Sequence, residues 1–379
     1  MNAALAPRQT PRALDTPGPG HYRFGGHNQP GAQMIIDIAT HVYPKPVFDL
    51  VDKMPSRFGS MGSRVNNTRQ LFEFDERFRL MDEAGDYAQI ISLCGPPIEE
   101  IASPAQGKEV ARVANDSMAD LVSRHRERFP GFVASVALND MDGALAELDR
   151  AIKKLGACGV QIFTDVDGKP LDLQEFDPLF AAMNAYGLPI WIHPTSTPQM
   201  PDFASESTSH FDLWLVLGWP YATAATMIRL VLAGIFERHV GIKIITHHMG
   251  GMVPFHSERI DGALYRLARQ QAGKEQSAVG PYMRRPPMEM MRMFYADTAM
   301  HGAVDATRCG LAYFGASNTV FGTDCPFGSI KKGLDMIDRL ELDDSLRHRL
   351  MTGNAERLLW WLKGDRRAEV PERKVHRAA

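Results

Sequence analysis

Short apolar runs rich in β-branched residues recur along the chain: MIIDIA (34–39), YAQIISLC (87–94), FVASVAL (132–138), GVQIF (159–163), LPIWIH (188–193), IKIITH (242–247), FYADTA (294–299) and NTVFGTD (318–324). Each has the length of a buried strand rather than of a helix. Between them the apolar positions return at helical spacing. In ALAELDRAIKKLG (144–156), Leu145, Leu148, Ile152 and Leu155 share one face and Gly156 stands where a helix C-cap is expected. Eight alternating β and α units predict an α/β fold of the (β/α)8 TIM-barrel type, one domain over 34–362, rather than two separate domains.

Two connections are too long for simple βα loops: about 43–75 after the first strand and about 194–222 after the fifth. Long loops in a compact domain usually bind ligands or cover a site. Residues 1–33 are rich in Pro, Gly, Gln and Asn and show no apolar period, so a flexible N-terminal extension is expected there; a start at Met34 and a targeting role are the alternatives. Residues 363–379 read as a charged C-terminal tail.

The 42 Lys+Arg and 45 Asp+Glu of the 379 residues leave a net charge of −3 with the signs interspersed, which argues against nucleic acid as a partner. No uninterrupted apolar window approaches the ~18 residues of a membrane span, and 1–33 lack the apolar stretch of a secretory signal. The expectation is a soluble cytoplasmic protein with no membrane partner. Cys94, Cys158, Cys309 and Cys325 are scattered without CxxC spacing, against both a disulfide framework and a thiolate zinc site.

In a barrel the active site forms at the C-terminal ends of the strands, so polar residues that close an apolar run are the candidates: His41, His193, His247, His248, Asp297 and Asp324. Imidazoles and carboxylates converging on one rim are the usual ligands of a catalytic divalent ion. Side chains alternate along a strand, which predicts Asp37, Ala39 and His41 on one side, with Ala39 in the natural second-ligand position. The same alternation predicts that only one of His247 and His248 enters the pocket. Asp324, just ahead of Cys325 and Pro326, can serve as ligand and as proton carrier. Asp297 reads as a group that orients a histidine, and Trp219 as a pocket wall or a core residue.

The motifs MIIDIATHVYP, GVQIFTDVDGKPLD, LPIWIHP, IKIITHHMGGMVPF, FYADTA and FGTDCPFG, in this order and spacing, resemble the amidohydrolase superfamily. The resemblance is to the amidohydrolase-related branch that contains aminocarboxymuconate-semialdehyde decarboxylase and 2-hydroxybenzoate-type decarboxylases. It implies His41, His193 and Asp324 as ligands of a divalent metal, with zinc or manganese favoured and magnesium a third choice. It implies His248 as a catalytic histidine beside Asp324, Arg259 as a binder of the substrate carboxylate, in some relatives across a dimer, and a homodimeric assembly. The departure is Ala39, where relatives place histidine or glutamate.

The activity so implied is non-oxidative decarboxylation of an aromatic or conjugated carboxylic acid, a small-molecule substrate. Hydrolysis of an ester, lactone, amide or C–C bond by the same residues is the alternative. A barrel that has lost catalysis and only binds a ligand is the second alternative, favoured by Ala39.

Overall fold

The computed structural model describes residues 34–56, 58–271 and 285–359, with 268–271 as backbone only. The segments expected to be tails, 1–33 and 363–379, lie outside the described residues. Eight parallel strands follow the predicted runs: β1 (Ile35–Val42), β2 (Tyr87–Leu93), β3 (Gly131–Phe132 and Ala134–Ser135, interrupted at Val133), β4 (Val160–Phe163), β5 (Pro189–His193), β6 (Lys243–Thr246), β7 (Tyr295–Asp297) and β8 (Thr319–Val320). Each pairs with the next in parallel. The ring closes between β8 and β1, where Ile38 N–H donates to Phe321 O (3.0 Å), Asp324 N–H to Ala39 O (2.9 Å) and His41 N–H to Cys325 O (2.8 Å). Helix Met141–Leu155 matches its prediction and stops at Gly156, left-handed at φ 78°.

Strand alternation divides the core into two layers. Ile36, Ile38, Ala88, Ile90, Val133, Cys158, Trp191, Ile245 and Val320 fill the barrel interior, and Leu358 and Leu359 join them. Ile91, Leu93, Val160, Ile162, Ile190, Ile192, Ile244 and Phe321 face the helices instead. Trp191 spans the interior and donates its indole N–H to Ile38 O (3.0 Å).

The expectation for strand one needs correction. The β1–β2 register slips between Asp37 and Thr40, so the alternation does not carry through. Asp37 falls outside the inner layer and accepts hydrogen bonds from the Tyr87 and Thr323 hydroxyls. Beyond the slip the phase is reversed. His41 turns inward, and its carbonyl is held by the guanidinium of Arg77, a fully buried arginine that also donates to Gln89 Oε1 (2.7 Å).

The two long connections are partly helical. Lys45–Val51 and Gly62–Asn67 form short helices in the first, and a helix of Gly218–Leu232 begins inside the stretch read as the second loop. The stretch Leu213–Leu232 is long and apolar enough, by length and composition only, to cross a membrane. Here its Thr223, Ala224, Met227, Leu230 and Val231 are buried.

Candidate metal centre

His41, His193 and Asp324 each close a strand or its extension, and the inward phase brings them together. Their donor atoms lie within 4.8 Å of one another, and all three residues are buried. His41 Nδ1 sits 3.0 Å from Ser92 Oγ, whose own hydroxyl donates to Thr40 O (3.0 Å). Ser92 must therefore accept from Nδ1–H, which leaves Nε2 with a bare lone pair. His193 Nδ1 faces Pro194 O at 2.7 Å, and a carbonyl only accepts, so its Nε2 is bare as well.

Bare Nε2 of His41 looks at Asp324 Oδ1 across 3.0 Å, yet it has no hydrogen-bond partner. One cation between them, a proton or a metal ion, serves both atoms. Protonation states bear on the choice. Burial holds His41 below the usual imidazole range, and burial with the neighbouring His247, His41 and His248 holds His193 well below it. Burial would raise Asp324, but His41, His248 and His301 outweigh it and keep the carboxyl below its ordinary value. Neutral imidazoles and an ionised carboxylate are the ligating forms. Two histidines and one carboxylate with further coordination left open fit a catalytic divalent ion.

Both neighbouring histidines belong to the site, which departs from the expectation for a continuing strand. His247 keeps the inward parity of Ile245; its ring lies 4.9 Å from that of His193 and 6.2 Å from that of His41. The chain then leaves the extended conformation, with His248 at φ 52° and Met249 at φ 52°, so alternation ends and His248 is not sent outward. His248 Nδ1 meets Ala299 O at 2.7 Å, and its ring stacks on His301 at 5.8 Å. Asp297 ties the pair together, with Oδ2 2.7 Å from His247 Nδ1 and Oδ1 accepting from His248 N–H (2.9 Å) and Ala299 N–H (3.0 Å).

His301 was not among the residues singled out in the sequence. It lies past the end of β7 at φ 53°, half-exposed, with Nε2 3.5 Å from Asp324 Oδ2. Asp324 itself is at φ 64°. Left-handed backbone at a non-glycine residue costs of order 1–3 kcal/mol and collects at functional sites. Its concentration on this rim is in keeping with that.

Aromatic rings wall the cluster: Phe163 and Trp219 against His193 (5.4 and 5.3 Å) and Phe327 against His41 (6.3 Å). Trp219 thus fills both places read for it, packing on the core and facing His193. Arg259 is exposed on helix Ser257–Gln271, and no hydrogen bond or ion pair joins it to the centre among the described residues.

The chain matches the amidohydrolase family over residues 36–360. It belongs to that family. The chain is 30% identical over 294 residues to a gamma-resorcylate decarboxylase of Polaromonas sp., a match covering 75% of this chain and 86% of that protein. It is 28% identical over 259 residues to the 2-amino-3-carboxymuconate-6-semialdehyde decarboxylase of Dictyostelium discoideum, covering 67% of each. Among solved structures, a 2,6-dihydroxybenzoate decarboxylase from Rhizobium superposes with a TM-score of 0.72 at 26% identity, covering 88% of this chain and 100% of that one.

Proposed function

We propose that this protein is a metal-dependent carboxy-lyase that removes carbon dioxide from an aromatic carboxylic acid without oxidation. The observation that carries the reading is the meeting of bare His41 Nε2, bare His193 Nε2 and ionised Asp324 beneath a wall of aromatic rings. The decarboxylases among its relatives support the same reading. His41, His193 and Asp324 would hold the ion. Two imidazoles and one carboxylate suit manganese or zinc better than magnesium, which favours oxygen donors. When bound, the ion supplies positive charge that fixes and polarises the substrate's oxygen atoms.

The chain's own groups supply the rest. Phe163, Trp219 and Phe327 sandwich the ring and exclude water. Asp324 takes up a proton of water handed on by His248 and delivers it to the ring carbon that bears the carboxylate. The C–C bond then breaks, its electron pair returns to the ring, and carbon dioxide leaves. His248, its Nδ1 held against Ala299 O, positions or relays that proton. Arg259, exposed on helix Ser257–Gln271, is the candidate for binding the substrate carboxylate, within its own chain or across a homodimer.

The test is incubation of metal-loaded protein in D2O with 2-hydroxybenzoate and 2,6-dihydroxybenzoate. Expected are carbon dioxide and a phenol carrying one deuterium at the vacated carbon. Products formed by consumption of water without carbon dioxide would sink the assignment.

A further inference from the structure

Resting on the metal-centre reading above, we infer that His247 is a fourth protein ligand, binding through Nε2 and taking over the place that Ala39 leaves without a donor. His247 is 1% exposed, and its Nε2 is a buried polar atom with no hydrogen-bond partner. Asp297, fully buried, places Oδ2 2.7 Å from Nδ1 and gives that oxygen no other partner, so a proton carried on Nδ1 would satisfy it. A carboxylate behind a histidine whose other nitrogen is bare is the usual support of a metal-ligating imidazole, fixing its tautomer and raising its basicity.

Ring positions agree. A metal–nitrogen distance of about 2.1 Å puts a ring centroid about 3.2 Å from the ion, so two rings on one ion stand about 4.5–6.4 Å apart. The rings of His41, His193 and His247 are separated by 5.0, 4.9 and 6.2 Å. His247 lies outside the set whose donor atoms are within 4.8 Å of one another. Donors on one ion are at most about 4.2 Å apart, so closing on an ion draws side chains inward by small torsional changes, and His247 joins in that contraction.

The space at strand one points the same way. A Cβ built on Gly322 would lie 2.7 Å from the Ala39 Cβ and 3.0 Å from the Asp297 Cβ. Ala39 therefore projects into the interior beside the carboxylate that carries His247. A large side chain at 39 would compete with the Asp297–His247 pair for that space, so the small residue on β1 and the additional histidine after β6 form one arrangement.

The experiment counts imidazoles on Mn(II) bound to the full chain by pulsed electron paramagnetic resonance, in wild type, His247→Ala and His247→Gln. Glutamine keeps an amide donor for Asp297 in case alanine leaves that charge buried and the chain fails to fold. Expected are three coupled imidazoles in wild type and two in either variant, with Mn(II) dissociation constants raised at least tenfold. Ala39→His added to His247→Gln should return the count to three. Two imidazoles in wild type and variants alike would overturn the inference while leaving the His41–His193–Asp324 centre standing. No bound Mn(II) in wild type would overturn both.

Discussion

Asp37→Asn offers a quantitative check on how strand one is anchored. Asp37 is fully buried; its Oδ1 accepts from Ala39 N–H (3.2 Å) and Thr323 N–H (3.1 Å), and its Oδ2 takes both hydroxyls, Tyr87 and Thr323. Burial nonetheless dominates and raises the carboxyl to about 7 from 3.8. A raised pKa in the folded state stabilises fully below the unfolded value and loses that contribution as pH rises through the folded one. Between the two values the folded protein keeps a proton that the unfolded chain has lost. At 1.36 kcal/mol per unit, about 3 kcal/mol of this contribution disappears between pH 5 and pH 8. Asparagine keeps an oxygen for the two amides, lets the hydroxyls rotate to accept, and cannot ionise. Urea unfolding of both proteins at pH 5 and pH 8 should therefore show the variant gaining about 3 kcal/mol on wild type across that window. A difference between the two proteins that stays constant with pH would refute the reasoning.

Asp324→Asn should reduce turnover by about 10²-fold or more while leaving the metal-free protein as stable as wild type, since the amide N–H₂ can donate to bare His41 Nε2. Steady-state kinetics and thermal unfolding read the two effects separately. For His248→Ala we expect a turnover loss of about 10²–10⁴-fold with bound metal retained, because its role is to handle a proton; metal analysis beside kinetics checks this. His41 and His193 are held below the ordinary imidazole range, so equilibration at pH 6 followed by metal analysis should find the ion still bound. Gly159→Ala would bring a methyl within 2.3 Å of Pro189 O and 2.5 Å of Trp191 on the neighbouring strand. It should destabilise by about 1–3 kcal/mol, visible as a lowered Tm.

The barrel was legible because its signal is repeated: eight apolar runs of strand length alternate with helical periods, and each returns as a strand. The rim was legible for the same reason, since His41, His193 and Asp324 close such runs. What failed to show was local backbone geometry. The slip between Asp37 and Thr40 inverts the phase of strand one, and nothing in IIDIATHV marks it. Parity from Ile245 was enough to turn His247 inward, but the left-handed turn at His248 that keeps the second imidazole on the rim is set by tertiary contacts with Asp297 and Ala299. His301 belongs to no strand end, so a search by strand termini passes over it. Arg77 hid within an otherwise amphipathic helix, Asp75–Glu83, where a buried guanidinium is indistinguishable by pattern from an exposed one.

The central claim, that His41, His193 and Asp324 build a metal centre that decarboxylates an aromatic acid, is tested most directly by titrating metal-stripped protein with Mn(II) or Zn(II) while following carbon dioxide released from 2,6-dihydroxybenzoate. Turnover should rise in proportion to occupancy and saturate at one ion per chain, and Asp324→Ala should neither bind the ion tightly nor turn over. Full-rate carbon dioxide release from stripped protein, or from the Asp324→Ala variant, would contradict the account.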